Sequence, residues 1–250
     1  MTSRRVRLLA LAAAGAMGWT FPIAAQSGGG DGFSFRRPMG SFTLRGGFAR
    51  PGASSDVFSE LIERLTIARK DFAGLNGAAE FGYSVSPRLD LQVGAAVASR
   101  RTNSEYRNFV GDDDLPISQR TAFRRIPFTA GLKFNLLPSG RVLSRLVWVP
   151  TRFVPYVAAG AGVMHYRFNQ TGEFVDFQTL DVFKNSLTSA GWTGTAYGAV
   201  GASWMVTPSV SLITDVRYDR ASATMGADFQ GFDRIDLSAV GLTAGLLFRF

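Results

Sequence analysis

The chain has 250 residues, a formal net charge of +8 and no cysteine. The lack of cysteine excludes disulfides, a lipoprotein cysteine, cysteine zinc sites and thiol catalysis. Because the positive charges are scattered among acidic residues, with no basic block interleaved with aromatics, the charge does not predict nucleic-acid binding.

The first residues have the features of an export signal. Three arginines precede a short apolar stretch, and Ala25 supplies the small residue that signal peptidases require. The apolar stretch of about 12 residues is shorter than the roughly 20 that a spanning helix needs. We therefore predict a cleaved signal peptide at 1–25, with a retained anchor as the alternative. A flexible periplasmic leader at 26–39 and a barrel domain at 40–250 then follow.

Eight segments with strand periodicity come next, each with apolar residues at alternate positions. They are 40–50, 73–85, 89–100, 123–136, 153–168, 194–206, 210–220 and 237–250. In the third segment, for example, Leu89, Leu91 and Val93 alternate with Asp90 and Gln92. The alternation of apolar and polar residues is less regular in the fifth and sixth segments. Each segment is long enough to cross a bilayer as a tilted strand, which needs about 9–11 residues.

The connections between the segments alternate in length. Two are three-residue turns, Ser86-Pro87-Arg88 and Thr207-Pro208-Ser209, and the connection at 138–152 does not fit the alternation. The long polar connections are 51–72, 101–122, 169–193 and 221–236. Short turns on one side and long loops on the other are typical of an outer-membrane barrel, and an even number of strands places both termini in the periplasm. A secreted soluble barrel or sandwich would also alternate, but charges would then occupy its core.

Several short segments resemble known outer-membrane barrels. The terminal Leu-Leu-Phe-Arg-Phe resembles the signal by which such barrels are recognised for insertion, with Leu246, Phe248 and Phe250 as its apolar side chains. Segments 86–91 and 207–212, together with the Pro-Tyr-Val-Ala-Ala-Gly-Ala-Gly stretch between them, resemble hairpins of the small OmpA-like and OmpW-like barrels.

This resemblance implies an all-β fold, an eight-stranded antiparallel transmembrane β-barrel with short periplasmic turns and long extracellular loops. It also implies that the C-terminal strand meets the barrel-assembly machinery, and that outer-membrane lipids and lipopolysaccharide surround the barrel. It defines no extracellular ligand.

Ten charged residues share the non-apolar face of the predicted strands. A charge facing lipid at the midplane costs ~2–4 kcal/mol, so we predict that these side chains face the lumen. They are Arg45, Glu80, Asp90, Arg100, Arg125, Lys133, Asp215, Arg217, Asp219 and Arg249.

The lumen of this predicted barrel has two interpretations. An eight-stranded barrel is just wide enough for its interior side chains, so the ten charges are expected to form a paired ion network that fills it. The alternative is a narrow polar pore in the space left by inward-facing glycines. These glycines are Gly74, Gly82, Gly94, Gly131, Gly201, Gly241 and Gly245.

The connections also contain periodic segments. The first long loop has helical periodicity from Val57 to Leu65, and residues 181–187 show a shorter version of it. We predict short helices in loops 1 and 3 that cap the barrel mouth, with binding to the outer leaflet or to a partner as the alternative. Segment 141–148 mixes apolar residues with two arginines, so it either rests on anionic lipid or extends the flanking strands into the periplasm.

Two further features concern catalysis and metal binding. His165 is the only histidine, and lipid-A-modifying enzymes of this architecture pair a histidine with a serine and an acid. No serine follows it at the spacing that such a motif requires. Asp112-Asp113-Asp114 either binds Ca²⁺ or forms a solvated loop tip, and it lacks the acid spacing of an EF loop. The sequence predicts no catalytic residue, cofactor or metal site.

These patterns predict a non-enzymatic outer-membrane barrel with a structural or surface-interaction role through its extracellular loops. A narrow passive channel for small or hydrophobic solutes is the alternative. A lipid-modifying enzyme is a third hypothesis that depends on fold analogy and one histidine.

Overall fold

The structure is a computed structural model that describes residues 32–34, 36–111, 114–144, 147–176, 178–179 and 181–250. The predicted signal peptide, the first part of the predicted leader, and Asp112 and Asp113 lie outside the described residues.

Eleven strands and three short helices make up the described chain. The strands are β1 (Gly40–Pro51), β2 (Gly74–Ser84), β3 (Leu89–Val110), β4 (Pro116–Asn135), β5 (Gly140–Ser144), β6 (Val147–Pro150), β7 (Phe153–Val175), β8 (Val182–Thr207), β9 (Val210–Ala223), β10 (Ile235–Asp236) and β11 (Ala239–Arg249). The α-helix α1 covers Asp56–Arg64, and two 3₁₀ turns cover Arg69–Phe72 and Ala227–Phe229. None of the helices in the described ranges is long and apolar enough to cross a membrane.

Eight of these strands close into an antiparallel barrel. Each long strand pairs with the next one along the chain, in the order β1-β2-β3-β4-β7-β8-β9-β11, and β11 pairs back onto β1. The pairs Phe42↔Phe248 and Phe48↔Leu242 fix the register of this closing seam. The prediction of an eight-stranded antiparallel barrel is confirmed.

Side chains on successive residues of a strand point to opposite faces, and here the two faces differ in polarity. On β3, Leu91 and Val93 are about half exposed on the outside of the barrel, while Asp90 and Gln92 are buried inside it. The same holds on β9, where Leu212 and Val216 face outward and Asp215 faces inward. The barrel is therefore apolar outside and polar inside, the reverse of a water-soluble domain.

The two ends of the barrel differ. One end, the turn end, holds the tight turns before β3 and β9, the β5–β6 hairpin, and the junction of Gly40 with Phe250. The other end, the loop end, holds the longer connections, including the segment 52–73 that carries α1.

Two predicted loops are largely strand, which corrects their expected boundaries. β3 and β4 stay paired beyond 100 up to Val110↔Pro116, and β7 and β8 stay paired up to Val175↔Val182. These extensions form a four-stranded sheet, the extended wall, on one side of the loop end. Both faces of the wall are largely polar, so no apolar alternation marked it in the sequence, whereas backbone pairing does not depend on that alternation.

The prediction of a helix in loop 3 is wrong. Residues from Val182 onward form the start of β8, with Phe183 opposite Phe174 on β7. Cross-strand pairing overrides the weak helical spacing of this short segment. The helix predicted in loop 1 is confirmed as α1.

Candidate functional site

The middle of the barrel interior holds one arginine between two carboxylates. Arg45 Nη2 donates to Glu80 at 2.7 Å, and its Nη1 pairs with Asp215. All three side chains are at most 8% exposed. We call these three residues the ion cluster.

Neutral side chains donate further hydrogen bonds to the two carboxylates of the ion cluster. Tyr156 Oη donates to Asp215 at 3.0 Å and Thr243 Oγ1 donates to its other oxygen at 2.7 Å. Gln92 Nε2 donates to Glu80. Burying a charge is costly unless it is paired and hydrogen-bonded. The bonds of the cluster connect β1, β2, β3, β7, β9 and β11.

A second pair lies next to the ion cluster on the loop-end side. Arg217 Nε donates to Asp219 at 2.9 Å, and its guanidinium carbon lies 3.6 Å from the centroid of the Tyr197 ring. Arg125, also buried, has no carboxylate within bonding distance among the described side chains and donates to the carbonyl of Leu237 at 2.9 Å. Arg125 therefore joins the polar interior to the loop-end segment.

The turn end of the interior has its own ion pair. Lys133 Nζ lies 3.1 Å from Asp90, whose carboxylate also accepts from Ser84 at 2.6 Å and from Asn135 at 3.1 Å. Arg249 donates to Ser211 Oγ at 2.6 Å on the same side.

A tryptophan closes this end of the barrel. Trp148 on β6 is 2% exposed and exchanges two backbone hydrogen bonds with Ser34, of 2.8 and 2.9 Å. It lines a cavity of only about 20 Å³ together with Asp90 and Lys133. The connection at 138–152 thus contains a separate hairpin, β5–β6, which is bridged to Ser34, and it is not an extension of the flanking strands, one of the two predicted alternatives.

An apolar plug fills the loop end. Phe58 on α1 is fully buried, with its ring centroid 5.0 Å from Phe72, 5.6 Å from Phe123 and 5.8 Å from Phe168. We define the apolar plug as the buried side chains that the loop-end segments contribute to this cluster, which are Ala53, Val57, Phe58, Leu61, Leu65, Ile67, Phe72, Phe229, Ile235 and Leu237. Because Phe123 and Phe168 face inward from the wall, the amphipathic face of α1 packs into the mouth rather than onto the outer surface.

Polar contacts fasten the apolar plug to the last loop. The Asp236 carboxylate accepts from Ser54 Oγ at 2.7 Å and from the Ser238 amide at 2.9 Å, and Asp56 accepts from the Asp233 amide at 2.7 Å. Burial raises the pKa of Asp236, but the hydrogen bonds from Ser54 and Ser238 outweigh it and leave that pKa below its ordinary value. Asp236 is therefore ionised at neutral pH and holds two loop segments together.

Tyrosine side chains occupy the space beside two of the inward glycines. A Cβ placed on Gly201 would lie 2.6 Å from Tyr156 Oη, and one placed on Gly131 would lie 2.5 Å from Tyr197 Oη. The cavity beside Arg217 and Asp219 measures about 30 Å³, which is room for one or two water molecules. The described interior is thus filled at three levels, by Trp148, by the ion cluster and by the apolar plug.

The ten predicted lumen charges fall into separate groups rather than one network. Three form the ion cluster, and two further pairs are Lys133–Asp90 and Arg217–Asp219. Arg125 and Arg249 face inward but bond to neutral oxygens. Arg100 does not belong with them, since it lies exposed at the rim of the loop end and donates to the Asp71 carbonyl at 3.1 Å.

Sequence reasoning missed the two tyrosines and the tryptophan that fill the interior. Tyr156 and Tyr197 lie in the two strands whose alternation is blurred by alanine and glycine on both faces. On β7, Tyr156 shares its face with Met164 and Phe168, and all three side chains are buried inside the barrel. This run of large side chains on one face was the available signal for the direction of Tyr156. Trp148 lies in the connection that did not fit the pattern.

His165 lies on the outer face, away from the interior charges. Its neighbours Met164 and Tyr166 are buried inside, and its ring packs edge-on against exposed Trp192, with centroids 5.1 Å apart. Within the described ranges, no three His, Cys, Asp or Glu side chains are grouped so that they could hold a metal ion.

The outer surface carries an apolar belt between two levels of aromatic side chains. Toward the turn end, Phe153 stacks near Trp204 with centroids 5.3 Å apart, and toward the loop end Phe128 lies 5.9 Å from Trp192. On β8, the stretch from Trp204 to Trp192 is ~40 Å long at about 3.3 Å per residue, which at a strand tilt of about 45° corresponds to a depth of ~28 Å. This depth matches the hydrocarbon core of a bilayer, which is about 30 Å thick.

These features define a class of fold, a closed eight-stranded β-barrel with an apolar outer belt and a filled polar interior. No protein-family model matches the sequence, and no curated protein matches it significantly.

Several solved structures are similar to this chain. The outer membrane protein OprG from Pseudomonas aeruginosa is 17% identical with a TM-score of 0.46, over 86% of this chain and 97% of that one. Neisserial surface protein A (NspA) is 13% identical with a TM-score of 0.45, over 88% of this chain and 100% of that one. The N-terminal β-barrel domain of Pseudomonas aeruginosa OprF is 12% identical with a TM-score of 0.35, over 86% and 100%.

Proposed function

We propose that this protein is an integral barrel of a bacterial outer membrane that acts without catalysis, through the surface of its loop end. The filled interior is the observation that supports the proposed non-catalytic role. Side chains close the barrel at three levels, and the described cavities inside it hold about 30 and 20 Å³. This packing favours a closed barrel with a structural or surface-interaction role over a narrow passive channel.

The apolar belt supports insertion in a membrane. Side chains such as Phe48, Leu75 and Leu242 are more than 60% exposed, which would be unfavourable over so large a surface in water. A charge facing lipid at midplane costs ~2–4 kcal/mol, and the charged residues at belt depth point inward instead.

The orientation follows from the two ends of the barrel. We place the turn end, with Gly40 and the C-terminal strand, in the periplasm and the loop end outside the cell. In this arrangement the predicted signal peptide directs export. The outward side chains Leu246, Phe248 and Phe250 are the ones we propose the barrel-assembly machinery recognises.

The extended wall is the surface that we propose for contacts outside the cell. It rises beyond the belt on one side only, where β3, β4, β7 and β8 continue to Val110, Pro116, Val175 and Val182. Backbone pairing of β4 with β7 and of β7 with β8 supports its side chains on a sheet, which favours a defined binding surface over a loop of variable shape.

Labelling of single cysteines tests the location and the orientation. Because the chain has no cysteine, Gln178→Cys at the loop end and Ser209→Cys at the turn end each introduce one thiol on an exposed residue. On intact cells, a membrane-impermeant maleimide should label Gln178→Cys, and it should label Ser209→Cys only after the outer membrane is permeabilised. Labelling of both variants on intact cells, or recovery of the protein in a soluble fraction, would refute the proposed placement.

A further inference from the structure

We propose that the outer face of β3, β4 and β7 binds the phosphate groups of a glycolipid headgroup in the outer leaflet. The site consists of four outward-facing arginines, Arg101, Arg120, Arg124 and Arg167, which we call the arginine row. This inference rests on the proposed function, because it requires the loop end to lie at the outer leaflet.

The arginine row begins where the apolar belt ends. Arg124 is the next outward residue after Ile126 on β4, and Arg167 is the next after His165 on β7. The ring of Trp192 packs against His165 at this level. Aromatic side chains of this kind mark the interface between hydrocarbon and headgroups, so the guanidinium groups lie at headgroup depth.

Strand pairing brings the arginines close to one another. Arg124 and Arg167 are directly opposite across β4 and β7, where Cβ atoms are about 4.5–5.5 Å apart. Arg101 on β3 is opposite Ala122, and so diagonal to both Arg124 and Arg120. Like charges placed directly opposite destabilise a sheet, so this arrangement calls for an anion between them.

No carboxylate in the described chain neutralises the arginine row. All four side chains are exposed and none of them forms a salt bridge with a described residue. Among the described residues, they make one side-chain hydrogen bond, from Arg120 Nε to Asn103 Oδ1 at 3.1 Å. Glu105 lines the same groove and is diagonal to Arg120 across β3 and β4, but it forms no salt bridge with any of the four arginines. The guanidinium groups therefore keep their donors for a ligand.

The surroundings suit an anionic headgroup with hydroxyl groups. The arginines line a groove of about 1150 Å³ on the wall, together with polar side chains such as Asn103, Asn169 and Thr171. Arginine binds phosphate bidentately, and hydroxyl and amide side chains can bond to sugar oxygens. A lipid is favoured over a soluble polyanion because the row borders the belt instead of the tips of the hairpins.

A binding measurement in detergent micelles tests this site. The probes are lipid A with two phosphates, the same lipid after removal of its phosphates, and inorganic phosphate, each titrated against the refolded full-length mature chain by native mass spectrometry. Wild type is compared with Arg124→Gln/Arg167→Gln. The matched control is Arg88→Gln/Arg152→Gln, which removes the same charge from exposed residues at the turn end.

We expect wild type and the control to bind phosphorylated lipid A at least ~10-fold more tightly than the dephosphorylated form. The Arg124→Gln/Arg167→Gln variant should lose this preference, and without lipid A it should unfold no more readily than wild type, since a repulsive pair has been removed. Equal binding by this variant and wild type, or no preference for phosphates, would overturn the inference. Saturation of the same arginines by inorganic phosphate alone would also overturn it, in favour of a soluble anion site.

A measurement of membrane insertion distinguishes a failure of this inference from a failure of the proposed function. Heat-modifiable electrophoretic mobility reports whether each chain has formed a barrel. A chain that never inserts into vesicles would contradict the proposed function itself. A chain that inserts but shows no phosphate preference contradicts only the arginine site.

Discussion

Replacing Arg45 with methionine is expected to destabilise the barrel by about 3–5 kcal/mol. Arg45 is the cation between Glu80 and Asp215, and both carboxylates are almost fully buried. Without it, two anions face each other in an interior that water scarcely enters, and neither retains a charged partner within the ion cluster. Urea unfolding of the refolded protein in lipid vesicles, followed by tryptophan fluorescence, measures the change.

Two further variants make this result specific to charge. Arg50→Met makes the same substitution on β1 at an exposed position, and it should change the free energy of unfolding by no more than about 0.5 kcal/mol. The triple variant Arg45→Met/Glu80→Gln/Asp215→Asn removes all three charges and should recover most of the lost stability. If Arg45→Met unfolded like wild type, the ion cluster would not be what holds the interior together.

Replacing Phe58 with alanine is expected to detach the apolar plug while the barrel stays folded. A buried phenylalanine contributes about 3–5 kcal/mol relative to alanine, and Phe58 contacts three other rings at the centre of the plug. The barrel strands keep their own hydrogen bonds, so the loss is local. Trypsin should then cut at Arg64, Arg69 or Lys70 about 100-fold faster or more, as about 1.4 kcal/mol corresponds to each tenfold change in the open population.

Glu63→Ala is the matched control, since Glu63 lies on the exposed face of the same helix. It should leave the cleavage rate within about threefold of wild type, because exposed substitutions change stability little. Electrophoretic mobility without heating should show a folded barrel for both variants. Resistance of Phe58→Ala to trypsin would mean that α1 is not held by this packing.

The barrel could be predicted from the sequence where lipid-facing positions impose a clear alternation. Segments such as 89–100 and 210–220 have most of their large apolar residues on one face, and both lie within observed strands. Above the belt this contrast disappears, because both faces of the wall are largely polar. The extensions of β3, β4, β7 and β8 were therefore predicted as loops. Their backbones are nevertheless paired, and residues Arg120 to Arg124 of β4, for example, pair with β7 without interruption.

The interior was harder to predict than the fold. The alternation of side chains along each strand placed most of the charges inside the barrel. It did not show which charges form ion pairs, because that depends on the stagger between strands that are far apart in sequence. Asp215 and Arg45, for example, are 170 positions apart. The glycines suggested open space, whereas Tyr156 and Tyr197 on the neighbouring strands β7 and β8 occupy it beside Gly201 and Gly131.

Single-channel conductance of the refolded mature chain in planar bilayers tests the closed barrel most directly. With Trp148, the ion cluster and the apolar plug in place, we predict a folded barrel that gives no discrete openings. Glu80→Gln and Arg217→Gln should be equally silent. Reproducible openings in wild type whose size changes in either variant would contradict the closed interior and identify the lumen as a narrow channel.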